Sequence, residues 1–209
     1  MDRPHHLGEP VMEMLLPPSG TGPGVLIAHP WWGLNQTIRD YGAALAREGF
    51  VVGLADLFDG ETTTSIEQAE QQIRKYWDAT AGKLEAAFTE LGSHKAVTGS
   101  QLGAIGFSFG GFHLLAQLGQ RNWRGPLVTY YATYPAQFAG AKLLAHFAGS
   151  DDFESDADRD AMIAAMAPSV AHIYPGTKHW FAEADRPEFD ENAAALAFRR
   201  TVEFLKLSH

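Results

Sequence analysis

At 209 residues, 45% of them hydrophobic, the chain is sized for a single domain spanning 1–209 around one core, with residues 1–10 reading as a flexible N-terminus. A formal net charge of -9 disfavours nucleic acid and anionic membrane surfaces as partners, and the absence of cysteine excludes disulfides, thiolate metal sites and a cysteine nucleophile. No apolar run is long enough to span a bilayer and residues 1–10 lack the pattern of a secretory signal, so a cytoplasmic protein is expected.

Residues 11–16 read as an opening strand closed by Pro17, Pro18, Ser19 and Gly20, and residues 24–28 as a short buried strand ending at His29-Pro30. Over 36–48, Ile38, Tyr41 and Leu45 recur at helical spacing until Gly49 stops the helix ahead of an apolar run over 50–55. Residues 66–91 predict one long helix, or two broken at Gly82. A strand over 102–107, a helix over 109–118 and strands over 127–131 and 143–147 follow. A helix over 156–166, a strand over 170–174 and a final helix carrying Ala195, Phe198, Val202 and Leu205 on one face complete the pattern. Alternating strands and helices imply an α/β fold with a mostly parallel sheet covered on both faces. Such sheets place their chemistry in loops beyond the carboxyl ends of the strands.

Gly106-Phe107-Ser108-Phe109-Gly110-Gly111 matches G-x-S-x-G directly between a predicted strand and a predicted helix. A turn that sharp holds its central residue in strained backbone geometry and leaves no room for side chains two positions either side. Gly106 and Gly110 supply that room. Ser108 would then stand exposed as a nucleophile, with the Phe109 N–H at the helix start aimed at any oxyanion formed there. The pattern of a phosphate loop is not matched, because no Lys follows the glycines.

A serine hydroxyl needs an imidazole to take its proton and a carboxylate to orient that imidazole, in the chain order Ser, acid, His. Of the histidines after Ser108, His113 lies within the helix, His146 and His172 within strands, and His209 at the terminus. His179, in a loop between the last strand and last helix, is the candidate base. The acid follows the strand over 143–147, where Asp151 and Asp152 are adjacent. The acidic run from Asp156 to Asp160 reads as a helix start, since the Gly and Glu of a calcium-binding loop are missing; no metal site is expected.

Three blocks resemble the dienelactone hydrolase family of the α/β-hydrolase fold: the elbow at 106–111, Phe147-Ala148-Gly149-Ser150-Asp151-Asp152-Phe153, and Lys178-His179-Trp180-Phe181. The resemblance runs from about residue 24 to the C-terminus and implies that Asp151, rather than Asp152, is the acid of the triad. It also implies that the backbone N–H of Trp31, in His29-Pro30-Trp31-Trp32-Gly33-Leu34-Asn35, is the second oxyanion donor. The family's usual nucleophile is cysteine, served by a glutamate in that loop; here Ser108 and Pro30 stand at those positions. Glu183 stands where the family has an arginine that binds the substrate carboxylate, so a negative charge repelling anionic substrates is expected there. A serine hydrolase of small neutral esters or lactones, needing no cofactor, is the resulting expectation. A non-catalytic hydrolase-like binding protein and an acyltransferase using the same triad are the rivals, and the first would not react with a fluorophosphonate probe.

Overall fold

The computed structural model describes residues 11–119, 123–135, 142–166 and 170–208, so the N-terminal segment 1–10 lies outside the described residues. Among the described residues, seven strands form one sheet in the order β1-β3-β2-β4-β5-β6-β7. They are β1 Met12–Leu15, β2 Gly22–Ala28, β3 Val51–Ala55, β4 Val97–Phe107, β5 Pro126–Tyr130, β6 Lys142–Ala148 and β7 Val170–Tyr174. Among the described strands, only β1 pairs antiparallel, against β3; every other pairing is parallel. Strands covered on both faces need apolar residues at successive positions, and Val25 to Ala28, Val51 to Ala55 and Leu143 to Ala148 are buried without interruption.

The helices are α1 Gln36–Arg47, α2 Ile66–Ser93, α3 Phe109–Gly119, α4 Asp156–Ala165 and α5 Glu191–Ser208. Helices α2 and α3 touch one another and cover β2 to β4 from one side. On the other side Tyr41 of α1 meets Phe198 of α5 edge to face, with ring centroids 5.2 Å apart. Side-chain caps set where helices begin: Asn35 Oδ1 accepts from the Ile38 N–H at 3.1 Å, and Ser155 Oγ from the Asp158 N–H at 3.1 Å. Asp156 and Asp158 occupy the first turn of α4, favoured by the positive end of the helix dipole. None of the described helices is long and apolar enough to cross a membrane.

Element bounds lie within two residues of the sequence expectation except at the start of β4, and of the two readings of residues 66–91 the single helix holds. Helix α2 runs unbroken through Gly82, which faces open space; the missing side chain costs about 1 kcal/mol, too little to interrupt 28 residues anchored by a buried face. Strand β4 begins five residues early, at Val97, because its exposed stretch Thr98 to Gln101 carries no apolar signal and its register against β2 shifts near Pro23. Strand β5 stops at Tyr130, since Tyr131 takes a left-handed φ of 39°.

A chain of polar side chains crosses the core between α1, α5 and the carboxyl half of the sheet. The Tyr41 and Tyr130 hydroxyls lie 3.0 Å apart, Tyr130 Oη is 2.9 Å from Thr201 Oγ1, His146 Nε2 is 3.0 Å from Thr201 Oγ1, and Tyr174 Oη is 2.8 Å from His146 Nδ1. Burial, reinforced by His172 and Arg200, pushes the His146 imidazole well below its usual range, so it sits neutral with both ring nitrogens partnered. Thr201→Val keeps the shape but strands Tyr130 and His146 without their shared partner. A loss of about 2–3 kcal/mol, read as a lower urea midpoint at unchanged m-value, is expected.

Candidate active site

Beyond the carboxyl end of β4 the backbone turns into α3 through Ser108, whose φ of 46° lies in the left-handed region. A Cβ on Gly106 would sit 2.4 Å from the Gly111 Cα, and one on Gly110 would sit 2.4 Å from the Ala28 carbonyl oxygen. Both glycines are therefore required by contact with backbone, which cannot give way. The Ser108 N–H donates to the Tyr130 carbonyl at 2.9 Å, and its carbonyl accepts from the Phe112 N–H at 2.8 Å, so the turn is tied to β5 and to α3. The N–H groups of Phe109 and Trp31 have no hydrogen-bond partner among the described residues.

Ser108 Oγ lies 2.9 Å from His179 Nε2, and His179 Nδ1 lies 2.8 Å from both carboxylate oxygens of Asp151. The side chains come from the β4–α3 turn, the β7–α5 loop and the β6–α4 loop, all at one edge of the sheet. Asp151 Oδ1 also accepts from the Phe153 and Glu154 N–H groups at 2.9 and 3.0 Å. Burial alone would raise the pKa of Asp151, but the His179 hydrogen bond and charge, with those two N–H groups, outweigh it and hold the carboxyl below its ordinary value. Asp152 points to solvent as an exposed residue. His113, one turn into α3, packs its ring 4.5 Å from Phe109 and 4.8 Å from Trp77, away from Ser108; burial lowers its pKa to about 4.

Aromatic rings surround His179. Tyr131, Phe153 and Trp180 have ring centroids 4.8, 4.9 and 5.1 Å from the imidazole, and Trp31 stacks on Trp180 at 5.8 Å. Phe153 is 49% exposed and so forms the outer wall. Of the aromatics flanking the motifs, Phe107 stacks on Tyr130 and Phe181 packs on Tyr174, which makes both of them core. Tyr131 and Phe153 escaped the sequence reading. Tyr131 follows a strand with no motif around it, and Phe153 belongs to the acid loop but gives no sign of which way it folds.

Glu183 corrects an expectation. It is fully buried, its Oε1 accepts from the Tyr131 hydroxyl at 2.7 Å, and its Oε2 has no partner among the described residues. Burial, with Asp185 and Glu188 nearby, outweighs the Tyr131 hydrogen bond and the Arg186 charge and pushes its pKa up to about 8. At neutral pH its protonated, uncharged form therefore predominates. Arg186 is neutralised by Asp185 at 2.9 Å and lies over the Trp32 ring at 4.4 Å.

A sequence model of the dienelactone hydrolase family matches residues 13–208, and the chain belongs to that family. A carboxymethylenebutenolidase from a Pseudomonas species is 28% identical over 91% of this chain and 87% of its own length. One from Pseudomonas putida is 24% identical over 90% and 87%. The crystal structure of a dienelactone hydrolase from Anabaena variabilis superposes with a TM-score of 0.69 at 19% identity, covering 93% of this chain and 90% of that one.

The Glu183 environment has a measurable consequence. Its folded pKa is raised, so its contribution to stability is complete below the ordinary carboxyl value of 4.5 and is lost as pH rises through about 8. Glu183→Gln keeps the acceptor for Tyr131 and removes the titration. The melting temperature of the variant should gain on the parent by about 5 °C between pH 6 and pH 9. A constant difference across that range would show that Glu183 is ionised throughout.

Proposed function

We propose that this member of the dienelactone hydrolase family is a serine hydrolase of small neutral esters or lactones that works through an acyl-enzyme on Ser108. The observation that carries the reading is the unbroken path from a strained, left-handed Ser108 through His179 to Asp151, at 2.9 and 2.8 Å. As Ser108 Oγ attacks the carbonyl carbon, its proton passes to His179 Nε2 and the carbonyl electron pair moves to oxygen. The N–H groups of Phe109 and Trp31, without a partner among the described residues, are the donors available to that oxyanion. Collapse expels the alcohol, which takes the proton back from His179; in a lactone the alcohol stays tethered to the acyl group. Water then enters, gives its proton to His179 and repeats the sequence to release the acid. Every proton moves between these residues, substrate and water, so the scheme calls for no cofactor. Asp151, held ionised, fixes Nδ1–H and stabilises the imidazolium.

The relatives named carboxymethylenebutenolidase suggest lactones, and the walls of this site favour a neutral one. Trp31, Phe153 and Trp180 offer apolar faces around His179. The family's carboxylate-binding arginine is replaced by a neutral, buried Glu183, and Arg186 is paired with Asp185. A free carboxylate thus finds no unpaired cation at these positions.

Ser108→Ala and His179→Ala should each lower kcat on an aryl ester by at least about a thousandfold while leaving the melting temperature within a few degrees. Near-normal turnover by either variant would sink the mechanism. Asp151→Asn should be far more damaging than Asp152→Asn, because only Asp151 accepts from the imidazole; equal effects would place the orienting acid elsewhere.

On substrate, kcat/KM for a neutral short-chain aryl ester should exceed that for a dienelactone carboxylate by about tenfold or more, one charge-assisted contact's worth. Preference for the dienelactone would overturn the substrate assignment and leave the triad untouched.

A further inference from the structure

His29 is the first residue after β2, and its side chain is wholly buried against Phe58, ring centroids 4.8 Å apart. Its Nδ1 lies 2.6 Å from the Pro30 carbonyl oxygen, and its Nε2 lies 3.0 Å from the Leu57 backbone nitrogen. A carbonyl can only accept and a backbone N–H can only donate. Nδ1 therefore carries the hydrogen and Nε2 is the bare acceptor, which leaves one neutral tautomer that satisfies both neighbours. Burial favours the same neutral state and lowers the pKa to about 4.

The Pro30 carbonyl and the Trp31 N–H belong to one planar peptide unit and point in opposite directions. Anchoring the oxygen anchors the N–H. Donation into the carbonyl also polarises the amide, making its N–H a stronger donor to an anion. Pro30 O accepts a second bond from the Gly33 N–H at 3.2 Å, while the Trp31 N–H has no partner among the described residues. The loop is held against the elbow as well, since a Cβ on Gly110 would sit 2.6 Å from the His29 carbonyl oxygen. We propose that His29 is a positioning residue for the reaction: through Nδ1–H it orients and polarises the Pro30–Trp31 peptide so that the Trp31 N–H stabilises the oxyanion. This rests on the reading of Ser108 as nucleophile.

Two substitutions separate the roles of the two ring nitrogens. An Asn amide reaches as far as Nδ1 and keeps a donor for Pro30 O while losing the acceptor for Leu57. A Gln amide reaches as far as Nε2 and keeps the acceptor for Leu57 while losing the donor. His29→Asn should retain kcat on an aryl ester within about threefold. His29→Gln should lose about thirtyfold in kcat, less than deletion of a whole oxyanion donor, with KM within twofold.

A trifluoromethyl ketone probes the same oxyanion without turnover. Ser108 Oγ adds to its carbon, the serine proton passes to His179 and the ketone oxygen becomes the anion. Its affinity should fall in the Gln variant by the same factor as kcat. Equal losses in both variants, a larger loss in Asn, or full activity in Gln would overturn the proposal and leave His29 as a loop anchor. The wild-type protein provides a check that does not depend on how the variants fold. Long-range proton–nitrogen NMR should place the His29 hydrogen on Nδ1, and a hydrogen on Nε2 would overturn the proposal directly. The underlying reading fails separately: if a fluorophosphonate does not label Ser108 of the wild-type chain, the nucleophile assignment falls and takes this inference with it.

Discussion

The site depends on a non-glycine residue held at positive φ where β4 becomes α3. Left-handed backbone at a serine is unfavourable by about 1 kcal/mol or more and persists only where the surroundings over-determine it. Here they do. The Ser108 N–H is bound to β5, its carbonyl to α3, and the flanking glycines sit against the backbone of β2 and α3 at distances no Cβ could tolerate. The tight turn projects the hydroxyl toward the β7–α5 loop and leaves the Phe109 N–H without a partner among the described residues at the helix start. Strain, exposure of the hydroxyl and a free donor are one geometric fact.

Neighbouring carboxyl groups around His179 behave differently because their partners differ. Asp151 is buried yet stays ionised, since two backbone N–H groups and an imidazole replace the water it loses. Glu183 is buried with a single hydroxyl donor, and Glu154 is part-buried with the Thr133 hydroxyl as its side-chain partner. Neither set makes up for lost solvation, and the two pKa values rise to about 8 and about 7.

Much of this was legible in the sequence, for identifiable reasons. A strand-turn-helix with glycines two residues either side of a serine has few other physical uses, and alternation of apolar runs with helical periods fixes a parallel sheet and the edge at which His179 and Asp151 emerge. What could not be read was which way side chains turn once they leave that edge. Glu183 read as a charge beside the substrate because the resemblance puts it at the position of a carboxylate-binding arginine; that it is buried with the Tyr131 hydroxyl as its donor has no signal in the sequence. The early start of β4 was hidden by its polar residues, and Gly82 left one helix or two open because periodicity alone does not show that a 28-residue helix is held by its packed face. His29 sat at a strand end with nothing around it to show that both ring nitrogens would be used.

The protonation states around the site combine to a single electrostatic arrangement. At neutral pH His29 is neutral because its two neighbours demand one tautomer, and Glu183 is predominantly protonated because its single donor cannot hold a charge. Had Glu183 been ionised, a second negative charge behind Tyr131 would oppose the oxyanion proposed to form at Ser108. Had His29 been protonated, its Nε2–H would face the Leu57 N–H and push apart the loop that carries the Trp31 donor. With both neutral, Asp151 is the buried anion that contacts His179, on the side of the ring opposite the hydroxyl. In the proposed serine mechanism that placement would favour positive charge on the imidazole when negative charge develops at the carbonyl oxygen, so the transition state would gain more than the ground state from the same fixed carboxylate.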